Sequence, residues 1–249
     1  MKVFVISLKH SIERRSRIQE LLDEQGIEFE FFDAIDASVK DFKYSNKRAP
    51  NKTLLRLGYH LLDNEIACFA SHFCLWEKCI ELNEPILILE DNCDLMATIS
   101  SYQSLFENLV NEHHFIKLFS MFKKKYSPIK KINASAEIIY YHDRTCGAQG
   151  YLISPYGAMK FVENAQQFIE PADNYMEKPW RHGILTYSFK PDLVCRAKIK
   201  STIGSNRKNK KKLPLWRKSI IEIIRVYEEL QYKIVNVRIK KRHKSNAKN

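Results

Sequence analysis

Residues 86–94 read Ile-Leu-Ile-Leu-Glu-Asp-Asn-Cys-Asp, four aliphatic side chains followed by three acids in five positions. An aliphatic run of that length fits a strand buried on both faces of a parallel sheet. In open α/β sheets, ligands bind just beyond the carboxyl ends of the strands. Asp91, Asn92 and Asp94 would then bring hard oxygen donors to the crevice, the donor type preferred by Mg²⁺ or Mn²⁺. A divalent ion there could neutralise the charge that builds on a departing diphosphate, as in transfer from a sugar nucleotide. The alternative is a polar turn whose acids cap the next helix.

Several elements must position that cluster. Val3–Leu8 reads as a strand, and Ile12, Ile18, Leu21 and Leu22 recur at helical spacing behind a capping Ser11, with Gly26 as the stop. Ile27–Phe32 reads as a second strand, so the chain opens as a β-α-β unit. Residues 38–63 read as a loop, Asn64 to about Leu82 as a strong helix, and Asn83-Glu84-Pro85 as its break. Further on, the pattern predicts a helix over about 100–112 and a strand over Phe115–Met121. A basic loop follows over Lys123–Ser135, then strands over Glu137–Tyr141 and Gly150–Ser154 and a helix over Tyr156–Asn164. Glu170–Pro179 reads as an acidic loop, and Leu185–Phe189 and Leu193–Cys195 as short strands. Ser205–Lys212 reads as a basic linker and Leu215–Ile239 as a long helix.

The chain has 249 residues, 45% of them apolar, enough for one large α/β domain and too apolar for global disorder. Residues 198–249 carry a net charge of +14, whereas residues 1–197 sum to −2. The division expected is therefore a domain over 1–197 and a basic tail over 198–249. None of the six cysteines forms a C-x-x-C pair, and most sit among apolar neighbours, which suits free thiols in a reducing compartment. The N-terminal apolar run is too short for a signal peptide, and no segment approaches the ~18 apolar residues of a membrane span. A cytosolic protein is expected.

Val5-Ile6-Ser7-Leu8 with Arg14-Arg15, Phe29–Phe32 with Ala34-Ile35-Asp36-Ala37, Asn64 to His72 with Trp76, Ile88 to Asn92, Gly147 to Ser154 with Tyr151, and Pro171-Ala172-Asp173 occur in that order. Together these stretches resemble the family 25 glycosyltransferases of lipopolysaccharide and lipooligosaccharide synthesis, a family that also includes animal collagen galactosyltransferases. The resemblance implies a GT-A-like single α/β domain with a mostly parallel central sheet. It implies inverting transfer of a hexose, most often galactose, from a UDP-sugar, with Mn²⁺ or Mg²⁺ at the acidic motif. The family usually has Glu-Asp-Asp where this chain has Glu90-Asp91-Asn92. An amide oxygen still ligates but brings no charge.

With the resemblance in hand, Asp91, Asn92 and Asp94 are the expected metal ligands. Leu8, Arg14, Ala34, Asp36, Ser71, His72 and Tyr151 are expected around the nucleotide sugar. Asp36 would meet the ribose or uracil, or be an ordinary turn aspartate. Arg14 or Arg15 could reach phosphate. Glu65 and His72, seven apart, share a helix face, although a lone helical histidine is more often structural. Inversion needs a carboxylate opposite the leaving group to take the acceptor's proton. Asp173 is the candidate base, with an Asx turn as its alternative, and Glu90 either joins the catalysis or is merely solvated. His182 is a further possible phosphate or metal contact. There is no glycine-rich phosphate loop.

In the tail, Trp216, Ile220, Ile223, Ile224, Tyr227, Leu230, Ile234, Val237 and Ile239 recur near helical spacing among lysines and arginines. Such a helix can lie on an anionic membrane, or its stripe can pack on the domain. No nucleic-acid-binding motif accompanies the charge, so nucleic acid is not an expected partner. The reading is thus a hexosyltransferase acting on a lipid-linked oligosaccharide at the inner face of the cytoplasmic membrane. Its alternatives are glucosyl transfer to the same acceptor, and a basic-tailed binding protein without catalysis.

Overall fold

The computed structural model describes residues 1–96, 99–199 and 213–246, with side chains through 241. The chain runs through β1 (Lys2–Ser7), α1 (Ile12–Asp23), β2 (Glu30–Asp33), α2 (Pro50–Leu57), α3 (Asp63–Leu82), β3 (Ile86–Glu90) and β4 (Cys93–Leu95). It continues through α4 (Ile99–His113), β5 (Phe115–Lys117), β6 (Tyr126–Lys131), β7 (Glu137–Tyr141), β8 (Gly150–Ile153) and α5 (Pro155–Asn164). Last come α6 (Ala172–Met176), α7 (Pro179–His182), β9 (Tyr187–Lys190), β10 (Val194–Arg196) and α8 (Leu215–Asn246).

Eight strands form one sheet in the order β2-β1-β3-β8-β5-β9-β7-β6. β1 pairs parallel with both β2 and β3, as the opening β-α-β pattern predicts. Beyond β3 the sheet is mixed. β8 runs antiparallel between β3 and β5, β9 returns parallel to β5, and β7 and β6 close the edge antiparallel. Successive side chains on a strand face opposite ways. Accordingly Phe4, Ile6, Ile86 and Ile88 join α3, α5 and α6 in one core, and Val3, Val5, Leu87 and Leu89 join α1 and α4 in the other. Cover on both faces is why Ile86–Leu89 carries no polar alternation. α3 is apolar round most of its circumference because it lies between the sheet and α5 and α6, with Trp76 fully buried.

Three regions depart from the sequence reading. Residues 38–63 contain a short 3₁₀ turn at Ser45–Lys47 and helix α2. Pro50 at the first turn of α2 and Gly58 at φ +78° after it are a start and a stop that outweigh its polar composition. Within Lys123–Ser135 lies β6, an edge strand. Its lysines protect an open edge rather than mark a loop, and Pro128 sits at a break in register. Glu170–Pro179 holds α6 and the start of α7.

The helix predicted over Leu215–Ile239 extends to Asn246, and the Ser205–Lys212 linker lies outside the described residues. One face of α8 packs back on the domain. Val235 and Ile239 cover Tyr140, the Trp180 and Tyr232 rings meet edge to face, and the Tyr232 hydroxyl donates to the Glu177 carbonyl at 2.6 Å. Buried Glu228 accepts from Lys178 at 2.6 Å and pairs with Arg56, while Lys178, Arg56 and Arg181 surround Glu170. Desolvation pushes the Glu170 carboxyl up, but those three cations outweigh it and hold it below its ordinary value. Removing one member of a buried charge network strands the rest. Glu228→Gln should therefore cost about 3–5 kcal/mol in urea unfolding, whereas exposed Glu229→Gln should stay within about 0.5 kcal/mol.

Candidate functional site

β1 and β3 end side by side, and their C-terminal residues make the floor of a cleft. Ser7 Oγ, at the end of β1, donates to Asp91 Oδ2 at 2.7 Å. Arg14 on α1 reaches Asp91 Oδ1 at 3.1 Å. Arg17, one turn on, pairs with Asp94 and donates to the carbonyls of Asp91 at 2.7 Å and Cys93 at 2.6 Å. Arg15 caps the end of β1 through the Ser7 and Leu8 carbonyls and does not enter the cleft.

Behind the cleft runs a buried chain of hydrogen bonds. An indole N–H can only donate. Trp76 Nε1 therefore gives its hydrogen to the Tyr151 hydroxyl oxygen at 3.0 Å. The Tyr151 proton is then directed to His72 Nδ1 at 2.9 Å, which leaves the His72 hydrogen on Nε2, facing Glu90 Oε1 at 3.2 Å. Asn92 Nδ2 at 3.0 Å and Gln149 Nε2 at 3.5 Å also donate to Glu90. Both amides leave a buried oxygen, Asn92 Oδ1 and Gln149 Oε1, without a protein partner.

Two cavities meet at this wall. The first, about 740 Å³ of open space, is floored by Ser7, Leu8 and Arg14 and walled by the Ala34–Ala37 loop, Ser71 and His72, with Glu90, Asp91 and Asn92 at its end. The second, about 910 Å³, includes Glu65, Gly147, Gln149, Asp173 and Arg196. Cys68, His72, Glu90 and Asn92 line both.

Of the expected nucleotide-sugar residues, Leu8, Arg14, Ala34, Asp36, Ser71 and His72 gather in the first cavity. Ser71 acts through the loop, its hydroxyl accepting from the Ile35 N–H at 2.9 Å. Asp36 lines the cavity and also makes a turn, accepting from the Ser38 N–H at 2.8 Å, a bond that lowers its carboxyl pKa. Tyr151 is a correction. It is 1% exposed and stands behind His72, so it orients that ring and touches neither cavity. Asp94 is a second correction, since it lies on β4 against Arg17, off both cavities. His182 is a neutral core histidine. Its Nδ1 accepts from the Ile184 N–H at 3.2 Å, and burial drives its pKa down to about 3. Glu65 caps α3 through the Leu62 N–H at 3.0 Å while also lining the second cavity.

Asp173 stands across the second cavity at the start of α6. It accepts from the N–H groups of Gly147 at 3.2 Å and Asn174 at 2.9 Å, and burial raises its pKa. Gly147 has φ +86°, and a Cβ there would lie 2.6 Å from Gln149 Oε1, so only glycine presents that N–H without displacing the amide.

The donors available to a divalent ion are Glu90, Asp91 and Asn92 Oδ1. The unpartnered, buried Asn92 oxygen beside two carboxylates fits a hard cation, and Asp94 does not belong to the set. Sequence reading missed Cys68, Asn64 and Ala67, which helical spacing from Ser71 and His72 would have put on the same face. It also missed Ser7 and Gln149, which lie inside stretches that carry the resemblance, and Arg196, for which no local pattern speaks.

Acidic and amide side chains thus stand at the end of a central strand of a mixed α/β domain, between two adjoining cavities. The profile of Glycosyltransferase family 25 (LPS biosynthesis protein) matches residues 1–176, and the chain belongs to that family. It is 35% identical over 160 residues to the lipooligosaccharide biosynthesis protein lic2B of Haemophilus influenzae, covering 61% of this chain and 58% of that one. It is 32% identical over 171 residues to the lacto-N-neotetraose biosynthesis glycosyltransferase LgtE of Neisseria gonorrhoeae, covering 65% and 59%. Human procollagen galactosyltransferase 2 is 28% identical over 201 residues, covering 75% of this chain and 31% of that one. The matches thus span less than two thirds of the relatives' lengths.

Replacing Tyr151 by Phe leaves the Trp76 N–H and His72 Nδ1 unpaired in the core. Urea unfolding should show a loss of about 1–3 kcal/mol. A loss within the measurement error would contradict the relay.

Proposed function

We propose that the protein is an inverting, nucleotide-sugar-dependent hexosyltransferase that moves galactose from UDP-galactose to a lipooligosaccharide acceptor. The observation that carries this reading is the pair of cavities meeting at Glu90 and Asn92, one walled by the Ala34–Ala37 loop and Arg14, the other by Asp173. The acceptor follows the names of the bacterial relatives, and the galactose follows the human one.

The first cavity takes the nucleotide, with Asp36 at the ribose and Arg14 toward the phosphates. The acceptor enters the second cavity. Its hydroxyl oxygen attacks the anomeric carbon as the bond from that carbon to the diphosphate oxygen breaks, with the electron pair leaving on the diphosphate. The hydroxyl proton passes to Asp173. The buried amide oxygen of Gln149 at the wall can accept from a sugar hydroxyl, filling a valence the protein leaves open. A Mn²⁺ or Mg²⁺ ion held by Glu90, Asp91 and Asn92 would stabilise the negative diphosphate.

Among the described residues no helix is long and apolar enough to cross a membrane. α8 uses one face to dock and presents another outward, where Trp216, Ile223, Tyr227, Leu230, Ile234 and Val237 are all at least 43% exposed. Lys218, Lys233, Arg238, Lys240 and Lys241 are exposed beside them. This apolar stripe flanked by cations supports a peripheral seat on an anionic leaflet, where a lipid-linked acceptor is found.

UDP-galactose with Mn²⁺ should raise the melting temperature more than UDP-glucose does, and Asp91→Asn should remove the metal-dependent part. Equal shifts without metal, or a larger shift with UDP-glucose, would contradict the metal or the donor assignment. Asp173→Asn should lower kcat by about 10²–10⁴ with little change in KM. Asp173 accepts a proton only when ionised, so activity falls as pH drops through its pKa. Because burial raises that pKa above 3.8, the acid limb should lie at higher pH than for an exposed aspartate. Vesicles of phosphatidylglycerol should sediment the protein, and phosphatidylcholine vesicles should not. Ile223→Glu with Leu230→Glu should abolish the effect, and retention by neutral vesicles would contradict it.

A further inference from the structure

Cys68, His72 and Glu90 bring a sulfur, an imidazole nitrogen and a carboxylate oxygen within 4.8 Å of one another. Nothing in the proposed transfer uses the sulfur. Cys68 and His72 are four residues apart on α3 and so share a helix face, and Glu90 meets them from the end of β3. All three line both cavities. We infer that Cys68, His72 and Glu90 form a second cation site, one that takes Zn²⁺ at the neck between the donor and acceptor cavities.

Thiolate and imidazole together select Zn²⁺ and similar borderline-soft ions over Mg²⁺ or Mn²⁺. Ligand atoms about 2.0–2.3 Å from a tetrahedral Zn²⁺ lie about 3.3–3.6 Å apart for this donor set, so the cluster needs to contract by up to about 1.5 Å. Three protein ligands leave the fourth position open toward the cavities, the pattern of zinc sites that also hold water or a ligand.

The surroundings are those a metal histidine requires. Such histidines nearly always have their second ring nitrogen held by a neighbour, and ligating carboxylates are themselves hydrogen-bonded. His72 is fully buried, with Nδ1 fixed by Tyr151, and Glu90 is held by the Asn92 and Gln149 amides. On binding, the Nε2 hydrogen moves to Nδ1, where the Tyr151 oxygen accepts it beside the Trp76 N–H, and Nε2 turns its lone pair to the metal; the Tyr151 hydroxyl gives up His72 as its acceptor, a cost that the metal bond must exceed. The net release is the Cys68 thiol proton, so affinity should rise with pH. Because Glu90 belongs to both cation sets, Zn²⁺ here and Mn²⁺ at Glu90, Asp91 and Asn92 would compete.

The test needs no sugar nucleotide, so its failure would leave the transferase reading standing. The full chain is titrated calorimetrically with Zn²⁺, and with Co²⁺ as a spectroscopic stand-in, alongside Cys68→Ser, Glu90→Gln and Cys195→Ser. Cys195 is a partly exposed thiol that lines neither cavity. The expected result is one Zn²⁺ per chain, with an apparent affinity that a large excess of Mn²⁺ or Mg²⁺ lowers through the shared Glu90 without abolishing binding. A thiolate-to-cobalt charge-transfer band should be present in the wild type and in Cys195→Ser and absent in Cys68→Ser. Zn²⁺ affinity should fall at least tenfold in Cys68→Ser and Glu90→Gln. Wild-type Co²⁺ spectra without that band, or Cys68→Ser binding Zn²⁺ as tightly as the wild type, would overturn the site.

Discussion

The relay from Trp76 through Tyr151 and His72 to Glu90 is the constraint from which the rest of the site follows. Each group has few options. The indole can only donate, so the phenol must pass its proton on, and the imidazole must present N–H to the carboxylate. Inside a core this direction is strongly enforced, because any broken link strands a buried polar group. The relay ties α3, β8 and β3 together and fixes a carboxylate at the boundary of two cavities. The Asn92 and Gln149 amides spend their hydrogens on the same carboxylate, and that is why their oxygens are left for something other than protein.

A parallel logic holds the other half of the motif. Asp91 is not a loose acid on a loop. Ser7 and Arg14 bind its two oxygens, and Arg17 gathers the carbonyls of the turn that follows. Three arginines one to three residues apart on α1 therefore do different work. Arg14 faces the cavity, Arg15 closes the end of β1, and Arg17 shapes the turn and removes Asp94 from the site. The tail is bound by the same means, since Glu228 on α8 sits among Lys178 and Arg56, and so joins the domain through buried charge as well as apolar contact.

Much of this was legible in the sequence. The run Ile86–Leu89 announced a strand covered on both faces, and the β-α-β opening announced its parallel neighbours. Glu65 and His72 were readable as one helix face, and the ordered motifs carried the family. What escaped was set by tertiary context. Asp94 looks like a third ligand at two-residue spacing, but β4 turns it to Arg17. Tyr151 lies in a matching motif, yet its position in β8 puts it behind His72. β6 reads as a loop because an edge strand can be built of lysines, and α2 because its helix signals were a proline and a glycine rather than an apolar stripe. The second cavity joins the Gly147–Gln149 turn to Asp173 and Arg196 from distant stretches of chain, a meeting that no local pattern could have shown.

The proposed transfer requires Glu90 and Asn92, which line both cavities, to divide donor from acceptor. A crystal structure of the chain with an unhydrolysed UDP-hexose analogue tests that division directly. The account predicts the nucleotide along Leu8, Arg14 and Asp36, with the anomeric carbon at the Glu90–Asn92 wall and its free face open toward Asp173. A nucleotide seated in the Asp173 cavity, or a sugar turned away from Glu90 and Asn92, would contradict it.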